Sequence, residues 1–267
     1  MSARDRALSE GTQAPYRNPL YYDQTYRRRR SDVRFYADLA ESFGGPILEL
    51  GVGTGRVAFE VARRGVDVVG VDLMPTMLGR ARERLNRLPQ RLRKHVELRR
   101  GDFRRIRLRR RFRLVLAPFN AFMHLYSRRD WERALATARA HLAPRGRLAF
   151  DVLMPYAREL ARDPDHAYRG HEVRVPPDGT RHRYSESFSY DAVTQVQMVH
   201  STFERVGQPH NSWRSLLAHR HVFPAELEAL LHYNGFSIVE RWGDFDRSPL
   251  STEGESQVII ARPRRMP

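Results

Sequence analysis

The sequence contains no cysteine among its 267 residues. The chain therefore forms no disulfide bond, provides no thiolate ligand for zinc and has no thiol nucleophile. No stretch approaches the run of about 18 apolar residues that a membrane-spanning helix needs. The segment Met1–Glu10 is polar and charged, unlike a secretory signal. These absences predict a cytoplasmic protein without a membrane segment.

Lysine is almost absent, and basic residues outnumber acidic ones. Lys94 is the single lysine among 47 basic residues, and 31 acidic residues leave a net charge of +16. The stretch from Arg80 to Arg113, called the basic segment below, carries 16 basic and three acidic residues. Because clustered cations attract phosphate, this segment raises the hypothesis of a nucleic-acid partner.

Strand and helix patterns alternate along most of the chain, which with 41% apolar residues can bury a large core. Short apolar or β-branched runs predict seven strands, at residues 47–50, 66–72, 96–98, 114–117, 147–153, 236–242 and 257–262. The alternation predicts an α/β fold with a Rossmann-like, doubly wound, mostly parallel seven-stranded sheet. A single helix is expected over 21–43, after a loose arm at 1–20.

Residues 166–223 interrupt this alternation. Four strand-like runs are separated by turn signals such as Pro176-Pro177-Asp178-Gly179. We expect an antiparallel β insertion that covers the substrate site. The expected domains are an N-terminal arm and lid helix (1–43), a core Rossmann-like domain (44–165 and 224–267) and the insertion (166–223).

The run ILELGVGTGR, from Ile47 to Arg56, carries the strongest motif. A buried strand leads into Gly51, Gly53 and Gly55, which allow positive φ and let a ligand approach the backbone. The dinucleotide fingerprint G-x-G-x-x-G would place a glycine where Arg56 stands, so an oxidoreductase is disfavoured. A plain strand–helix turn remains the alternative.

Three further strand ends carry groups suited to a ligand. Asp72 ends the second strand and can accept the ribose hydroxyls of an adenosine-containing ligand. Asp102 and Phe103 follow the third strand and can meet an adenine amino group and ring. The segment 118–125 follows the fourth strand. Because parallel strands end at one edge of a sheet, these groups predict a single binding site.

With these motifs, the chain resembles the class I S-adenosylmethionine-dependent methyltransferases over residues 45–153, and by architecture through its terminal strands. Within that class it resembles the small-molecule type, such as aminosugar and glycine N-methyltransferases. The resemblance implies S-adenosylmethionine as cofactor, no metal, and transfer of a methyl group to N or O of a small molecule by in-line displacement.

The resemblance also implies roles for particular residues. Glu49 and the three glycines would surround the methionine end of the cofactor, Asp72 would hold the ribose, and Met74 would line the adenine face. Asp102 with Phe103 would receive the adenine. The cofactor-binding residues expected are Glu49, Gly51, Gly53, Gly55, Asp72, Met74, Asp102, Phe103 and Pro118.

Two residues are hypotheses for substrate contact. His124, in the segment after the fourth strand, is placed to act as a general base or to touch the substrate, and a structural role is equally open. Tyr22, beside Tyr21 and Tyr26, resembles the N-terminal aromatics that close over the cofactor in small-molecule N-methyltransferases. Packing of a helix face is the alternative.

An RNA methyltransferase that uses the basic surface is the alternative function. Methylation of cytosine C5 needs a cysteine, and exocyclic-amine enzymes typically show [DN]-P-P-[YF] where this chain has Ala117-Pro118-Phe119-Asn120. A non-catalytic cofactor-binding partner protein is a third hypothesis. Because the basic segment falls mostly on the predicted outer helical layer, we interpret it as a solvated face. A small-molecule substrate is therefore favoured over a nucleic acid. We also expect a monomer or homodimer.

Overall fold

A computed structural model of the chain describes residues 3–208 and 210–264. The remaining positions, which belong to the ends of the expected arm and core domain and to the expected insertion, lie outside the described residues. The strands are β1 (Ile47–Leu50), β2 (Val68–Asp72), β3 (Val96–Arg100), β4 (Phe112–Ala117), β5 (Leu142–Leu153), β6 (Tyr168–Val175), β7 (Thr180–Asp191), β8 (Val196–Arg205), β9 (Trp213–Arg220), β10 (Phe236–Trp242) and β11 (Ser256–Pro263).

The helices are α1 (Ala3–Gln13), α2 (Pro19–Tyr26), α3 (Ser31–Phe43), α4 (Ala58–Arg63), α5 (Pro75–Asn86), α6 (Gln90–Arg93), α7 (Arg128–His141), α8 (Ala157–Leu160) and α9 (Pro224–Tyr233). Two short 3₁₀ turns cover Ala14–Tyr16 and Ala121–His124. Among the described residues, no helix combines the length and apolar character needed to cross a membrane.

The chain divides into two compact units. The parallel-sheet unit consists of Arg28–Met154 with the described residues from Val222 onward, and the antiparallel-sheet unit consists of the described residues through Arg27 with Pro155–His221. The boundaries of these units differ from those of the domains expected from the sequence. Residues 3–27 belong to the antiparallel-sheet unit, whereas α3 belongs to the parallel-sheet unit.

The parallel-sheet unit is built on a seven-stranded sheet of order β10-β11-β5-β4-β1-β2-β3. The neighbours from β3 to β5 are parallel, whereas β11 is antiparallel to both β5 and β10. This confirms the expected mostly parallel, doubly wound fold. The strand order reverses between β1 and β4, and ligands of such sheets bind at the carboxyl ends of the strands at that point.

Buried side chains cover both faces of this sheet. Alternate residues of a strand point to opposite faces, so Leu48 and Leu50 of β1 join one apolar cluster with Trp131 and Phe150. Ile47 joins the cluster on the other face. Because all four residues of β1 are buried, Glu49 is a carboxyl group in the middle of the core.

The antiparallel-sheet unit contains a meander of order β6-β7-β8-β9. This confirms the antiparallel sheet expected within 166–223, while its role as a substrate cover stays a prediction. Phe203 of β8 stacks on Trp213 of β9 with ring centroids 3.8 Å apart, and Tyr21 of α2 meets the same phenylalanine at 5.4 Å. These aromatic contacts connect the sheet to α2.

The N-terminal segment differs from the expected loose arm and single helix. Residues 3–13 form α1, which packs on β9. Gly11 permits this packing, because a Cβ at that position would lie 2.5 Å from the Cβ of Ala218. The long helix expected over 21–43 is instead divided into α2 and α3. The sequence pattern of α1 is weakly amphipathic, so its helical state depends on tertiary packing.

Candidate functional site

The glycine loop follows β1 at the carboxyl edge of the parallel sheet. Gly51, Gly53 and Gly55 have φ of +79°, +55° and +84°, a region that costs residues with a Cβ. A Cβ on Gly55 would lie 2.5 Å from the Phe59 ring, and a Cβ on Gly51 would lie 3.1 Å from that of Ala121. The loop therefore requires glycine and passes close to the segment after β4.

Asp72, at the end of β2, fixes the conformation of this loop. Its Oδ2 accepts a hydrogen bond from the Gly53 N–H at 2.7 Å, and its Oδ1 accepts one from the Met74 N–H at 2.8 Å. Burial raises the pKa of Asp72, and these backbone donors oppose the rise. Each carboxylate oxygen keeps a second lone pair, so the side chain can still receive ligand hydroxyls.

Glu49 lies beneath the loop and is 2% exposed. Its Oε2 has no hydrogen-bond partner, which is uncommon for a buried polar atom. Burial raises its pKa well above the ordinary value; the nearby charge of Arg56 opposes this and that of Asp72 adds to it. A ligand with a cationic or hydrogen-bond-donating group would satisfy this carboxyl oxygen.

Asp102, after β3, is engaged by arginine. The Arg104 side chain bonds both carboxylate oxygens, with Nη2 2.8 Å from Oδ2, and also pairs with Asp130 at 3.0 Å. Burial pushes the pKa of Asp102 up, but the hydrogen bonds and charge of Arg104 bring it below its ordinary value. Phe103 packs 5.9 Å from Phe122. The expected contact of Asp102 and Phe103 with an adenine stays a prediction.

The turn after β4 has a strained backbone. Pro118 is buried, and Phe119 and Asn120 both adopt left-handed φ, at +57° and +62°. This conformation costs Phe119 on the order of 1–2 kcal/mol, whereas asparagine adopts it more readily. Such strain persists where the surroundings hold it. Strain of this kind concentrates at functional sites, and this turn lies at the edge where the ligand is expected.

Asp151 of β5 holds this turn, and sequence reasoning missed it. Its Oδ1 accepts hydrogen bonds from the Phe119 N–H at 2.7 Å and from the Tyr36 hydroxyl at 2.6 Å, and its Oδ2 accepts one from the Asn120 N–H at 3.0 Å. Burial raises the pKa of Asp151 to about 6, against the effect of these donors. The signal that could have revealed it is an aspartate within the apolar run Leu148–Leu153.

Arg56 and Arg29 flank the ring of Phe119. Their guanidinium carbons lie 4.8 Å and 5.3 Å from the ring centroid, within range of a cation–π contact. Arg56 also forms an ion pair with the fully buried Asp32 and donates to the backbone oxygen of Arg29 at 2.9 Å. The residue that departs from the dinucleotide fingerprint thus supports the turn after β4.

His124 ends the 3₁₀ turn after β4. Its Nδ1 lies 3.1 Å from the Tyr126 hydroxyl oxygen. Burial lowers the pKa of His124 to about 4, so the imidazole is neutral at physiological pH. A neutral imidazole can accept a proton, but so low a pKa makes it a weak base.

Tyr22 belongs to the antiparallel-sheet unit. Its ring lies 4.9 Å from that of Tyr26 and 6.1 Å from that of Tyr16. An aromatic cluster of this kind fits the packing alternative, and the expected contact with a cofactor stays a prediction.

Within the parallel-sheet unit, the structure brings together Glu49, the glycine loop, Asp72, Met74 and the turn after β4.

Comparison with known proteins agrees with this geometry. A protein-family model described as a methyltransferase domain matches residues 47–146, the segment from β1 into β5. The chain is similar to a glycine/sarcosine N-methyltransferase of Parasynechococcus marenigrum (strain WH8102), with 28% identity over 182 residues that cover 64% of this chain and 63% of that protein.

Two further similarities extend the comparison. A magnesium-protoporphyrin O-methyltransferase of Rhodobacter capsulatus is 38% identical over 82 residues, which cover 30% of this chain and 35% of that protein. The chain thus spans less than two thirds of the length of these two curated relatives. The solved structure of the CcbJ methyltransferase from Streptomyces caelestis superposes with a TM-score of 0.77 at 28% identity, covering 88% of this chain and 90% of the other.

Proposed function

We propose that the chain is a class I S-adenosylmethionine-dependent methyltransferase that transfers a methyl group to the nitrogen of a small-molecule amine. The cofactor is S-adenosylmethionine, which supplies an electrophilic methyl group on a sulfonium centre. The observation that carries the proposal is the unpartnered Oε2 of Glu49 beneath the glycine loop. A carboxyl oxygen in that position suits the cationic methionine end of this cofactor.

Different residues at the carboxyl edge of the sheet bind different parts of the cofactor. Glu49 and the N–H groups of the glycine loop hold the methionine end, and Asp72 uses its remaining lone pairs for the ribose hydroxyls. Met74 and Phe103 line the adenine, with Asp102 near its amino group and Pro118 closing the side toward β4. Alignment of donor and acceptor then provides most of the acceleration, because in-line displacement needs little further chemistry from the protein.

The low pKa of His124 favours a nitrogen acceptor over an oxygen acceptor. Its depressed pKa makes it a poor base for a phenol or alcohol, whereas an amine that arrives neutral needs no strong base. The relative that aligns over 64% of this chain is an N-methyltransferase, which supports the same choice. Oxygen acceptors stay the alternative within the small-molecule class.

The decisive experiment is a turnover screen. Panels of amines, phenols and carboxylates are compared with tRNA and rRNA, and the release of S-adenosylhomocysteine is followed. We expect turnover with one or more amines. Methylation of RNA alone would overturn the small-molecule assignment, and turnover of phenols but no amines would overturn the choice of nitrogen.

A further inference from the structure

An arginine-lined cleft lies on the parallel-sheet unit, at the sheet edge opposite the glycine loop. It encloses about 740 Å³ and is lined by the five arginines 111, 139, 145, 147 and 262 together with the turn at 143–146. Arg111 precedes β4, and Arg147 pairs with Leu114 near the start of β4. The amino-terminal ends of β4 and β5 therefore form the floor of the cleft, whereas the glycine loop and Asp72 lie at carboxyl ends.

Among the residues that the structure describes, the positive charge of this cleft has no acidic partner. Within the described residues, none of the lining side chains is acidic and none of the five arginines forms an ion pair. Arginine stays protonated in proteins, so the residues that line the cleft carry five positive charges. Arg104, elsewhere in the same unit, instead pairs with both Asp102 and Asp130.

Backbone carbonyls hold three of the guanidinium groups in place. Arg111 Nη1 donates to the Leu142 oxygen at 3.1 Å, Arg139 Nη2 to the Arg264 oxygen at 3.2 Å, and Arg147 Nη1 to the Arg145 oxygen at 2.7 Å. A carbonyl orients a guanidinium without neutralising it, and the remaining N–H groups are left for a ligand. The cleft is thus partly preorganised for an anion.

Arg145 lines the cleft with its backbone in an unfavourable conformation. Its φ is +63°, in the left-handed region that favours glycine. The next residue, Gly146, is closely surrounded, since a Cβ there would lie 3.0 Å from the Ala143 oxygen. A charged side chain therefore stands at a turn position whose conformation disfavours any side chain.

We propose that this cleft binds a phosphorylated small molecule through a diphosphate group. The planar guanidinium fork matches phosphate oxygens in bidentate fashion, and five of them around one cavity suit more than one phosphate. The volume falls in the usual range of small-molecule sites, whereas a nucleic-acid backbone is followed by an extended row of cations. The site is independent of the proposed methyl transfer, and only Arg111 comes from the basic segment.

The test measures binding of inorganic pyrophosphate to the full chain by isothermal titration calorimetry at fixed ionic strength. The double variant Arg145→Gln/Arg262→Gln removes two exposed guanidinium groups of the cleft. The matched control Arg82→Gln/Arg91→Gln removes the same charge from exposed positions on α5 and α6, beside β3 at the far edge of the sheet. We expect at least tenfold weaker binding in the cleft variant and less than twofold in the control.

Three outcomes would overturn the proposal. The first is no saturable binding of pyrophosphate by the wild-type chain, and the second is equal weakening in the two double variants. The third is a short RNA duplex whose binding depends on the cleft arginines more strongly than that of pyrophosphate. Should the double variant not fold by circular dichroism, the single variant Arg262→Gln serves, with an expected weakening of about threefold.

Discussion

At the scale of single residues, the buried carboxyl groups of the parallel-sheet unit are the features that most affect function. Glu49, Asp32 and Asp151 are each less than 3% exposed. Asp151 receives three hydrogen bonds, and Asp32 pairs with Arg56 through Oδ2 while its Oδ1 has no partner. Glu49 also has a carboxyl oxygen without a partner, and among the described residues it has no ion pair. Asp32, through Arg56, and Asp151 organise the turn after β4. Glu49 lies in the strand that leads into the glycine loop, so we expect it to be the one that meets a ligand.

The substitution Glu49→Gln tests its role in cofactor binding. We expect S-adenosylmethionine to bind at least tenfold more weakly, because the amide keeps the shape but not the charge. Glu253→Gln, at an exposed site, serves as control and should leave the affinity unchanged. Since burial raises the pKa of Glu49, binding of a cation should also release a proton. Calorimetry in buffers of different ionisation enthalpy measures both the affinity and the number of protons released. An unchanged affinity in Glu49→Gln would show that this residue does not bind the cofactor.

The substitution Tyr36→Phe tests the support of the strained turn. Tyr36 is fully buried, and its hydroxyl donates to Asp151. Loss of a hydrogen bond to a buried carboxyl group should lower the free energy of unfolding by about 1–3 kcal/mol. Tyr233→Phe, at a residue 78% exposed, should change it by less than about 0.5 kcal/mol. Urea denaturation gives both values, and equal effects would show that this hydrogen bond contributes nothing specific.

At the scale of elements, the glycine loop between β1 and α4 combines backbone strain with close packing. Gly55→Ala places a Cβ against the Phe59 ring at a φ of +84°. We expect a loss of at least about 1–2 kcal/mol of stability.

Gly79→Ala is the matched control for that substitution. Gly79 lies within α5, and a Cβ there would meet nothing within 4 Å. Because alanine is the better helix former, this variant should gain about 0.5–1 kcal/mol. Thermal or urea unfolding of both variants decides the matter; a Gly55→Ala variant as stable as wild type would contradict the tight loop.

The elements that sequence predicted are those whose signals are local. The run Ile47–Gly55 contains its own strand and turn, and Asp72 is recognised by its place at the end of β2. The hydrogen bond between Tyr36 and Asp151 joins residues 115 positions apart, and no local pattern indicates it. Helix α1 was missed for a similar reason, because its sequence forms a helix only where β9 provides a surface.

At the scale of the whole molecule, buried histidines couple stability to pH. Burial lowers the pKa of His221 to about 4, below its value in an unfolded chain. Between these two pKa values the unfolded state binds the proton, so the stabilising contribution is present above pH 6.5 and is lost as the pH falls toward 4. His124 contributes with the same sign, and Asp151, whose pKa is raised, contributes with the opposite sign.

The variant His221→Gln isolates one of these contributions. Wild type should lose about 2 kcal/mol more stability than the variant between pH 7 and pH 4.5. Chemical denaturation gives the free energy of unfolding of both proteins at the two pH values. Comparing the change with pH in wild type with the change in the variant cancels the contributions of His124 and Asp151. Parallel changes in the two proteins would show that His221 is protonated as readily in the folded state as in the unfolded one.

The position of β11 has a consequence for the order in which the molecule is made. This strand is inserted between β5 and β10 and is antiparallel to both. During synthesis β5 and β10 therefore leave the ribosome before the strand that joins them, and each exposes an unpaired edge meanwhile. The sheet is complete only when residues 256–263 have emerged and β11 has paired with both strands. We therefore expect a nascent chain that stops before Ser256 to aggregate through these two edges.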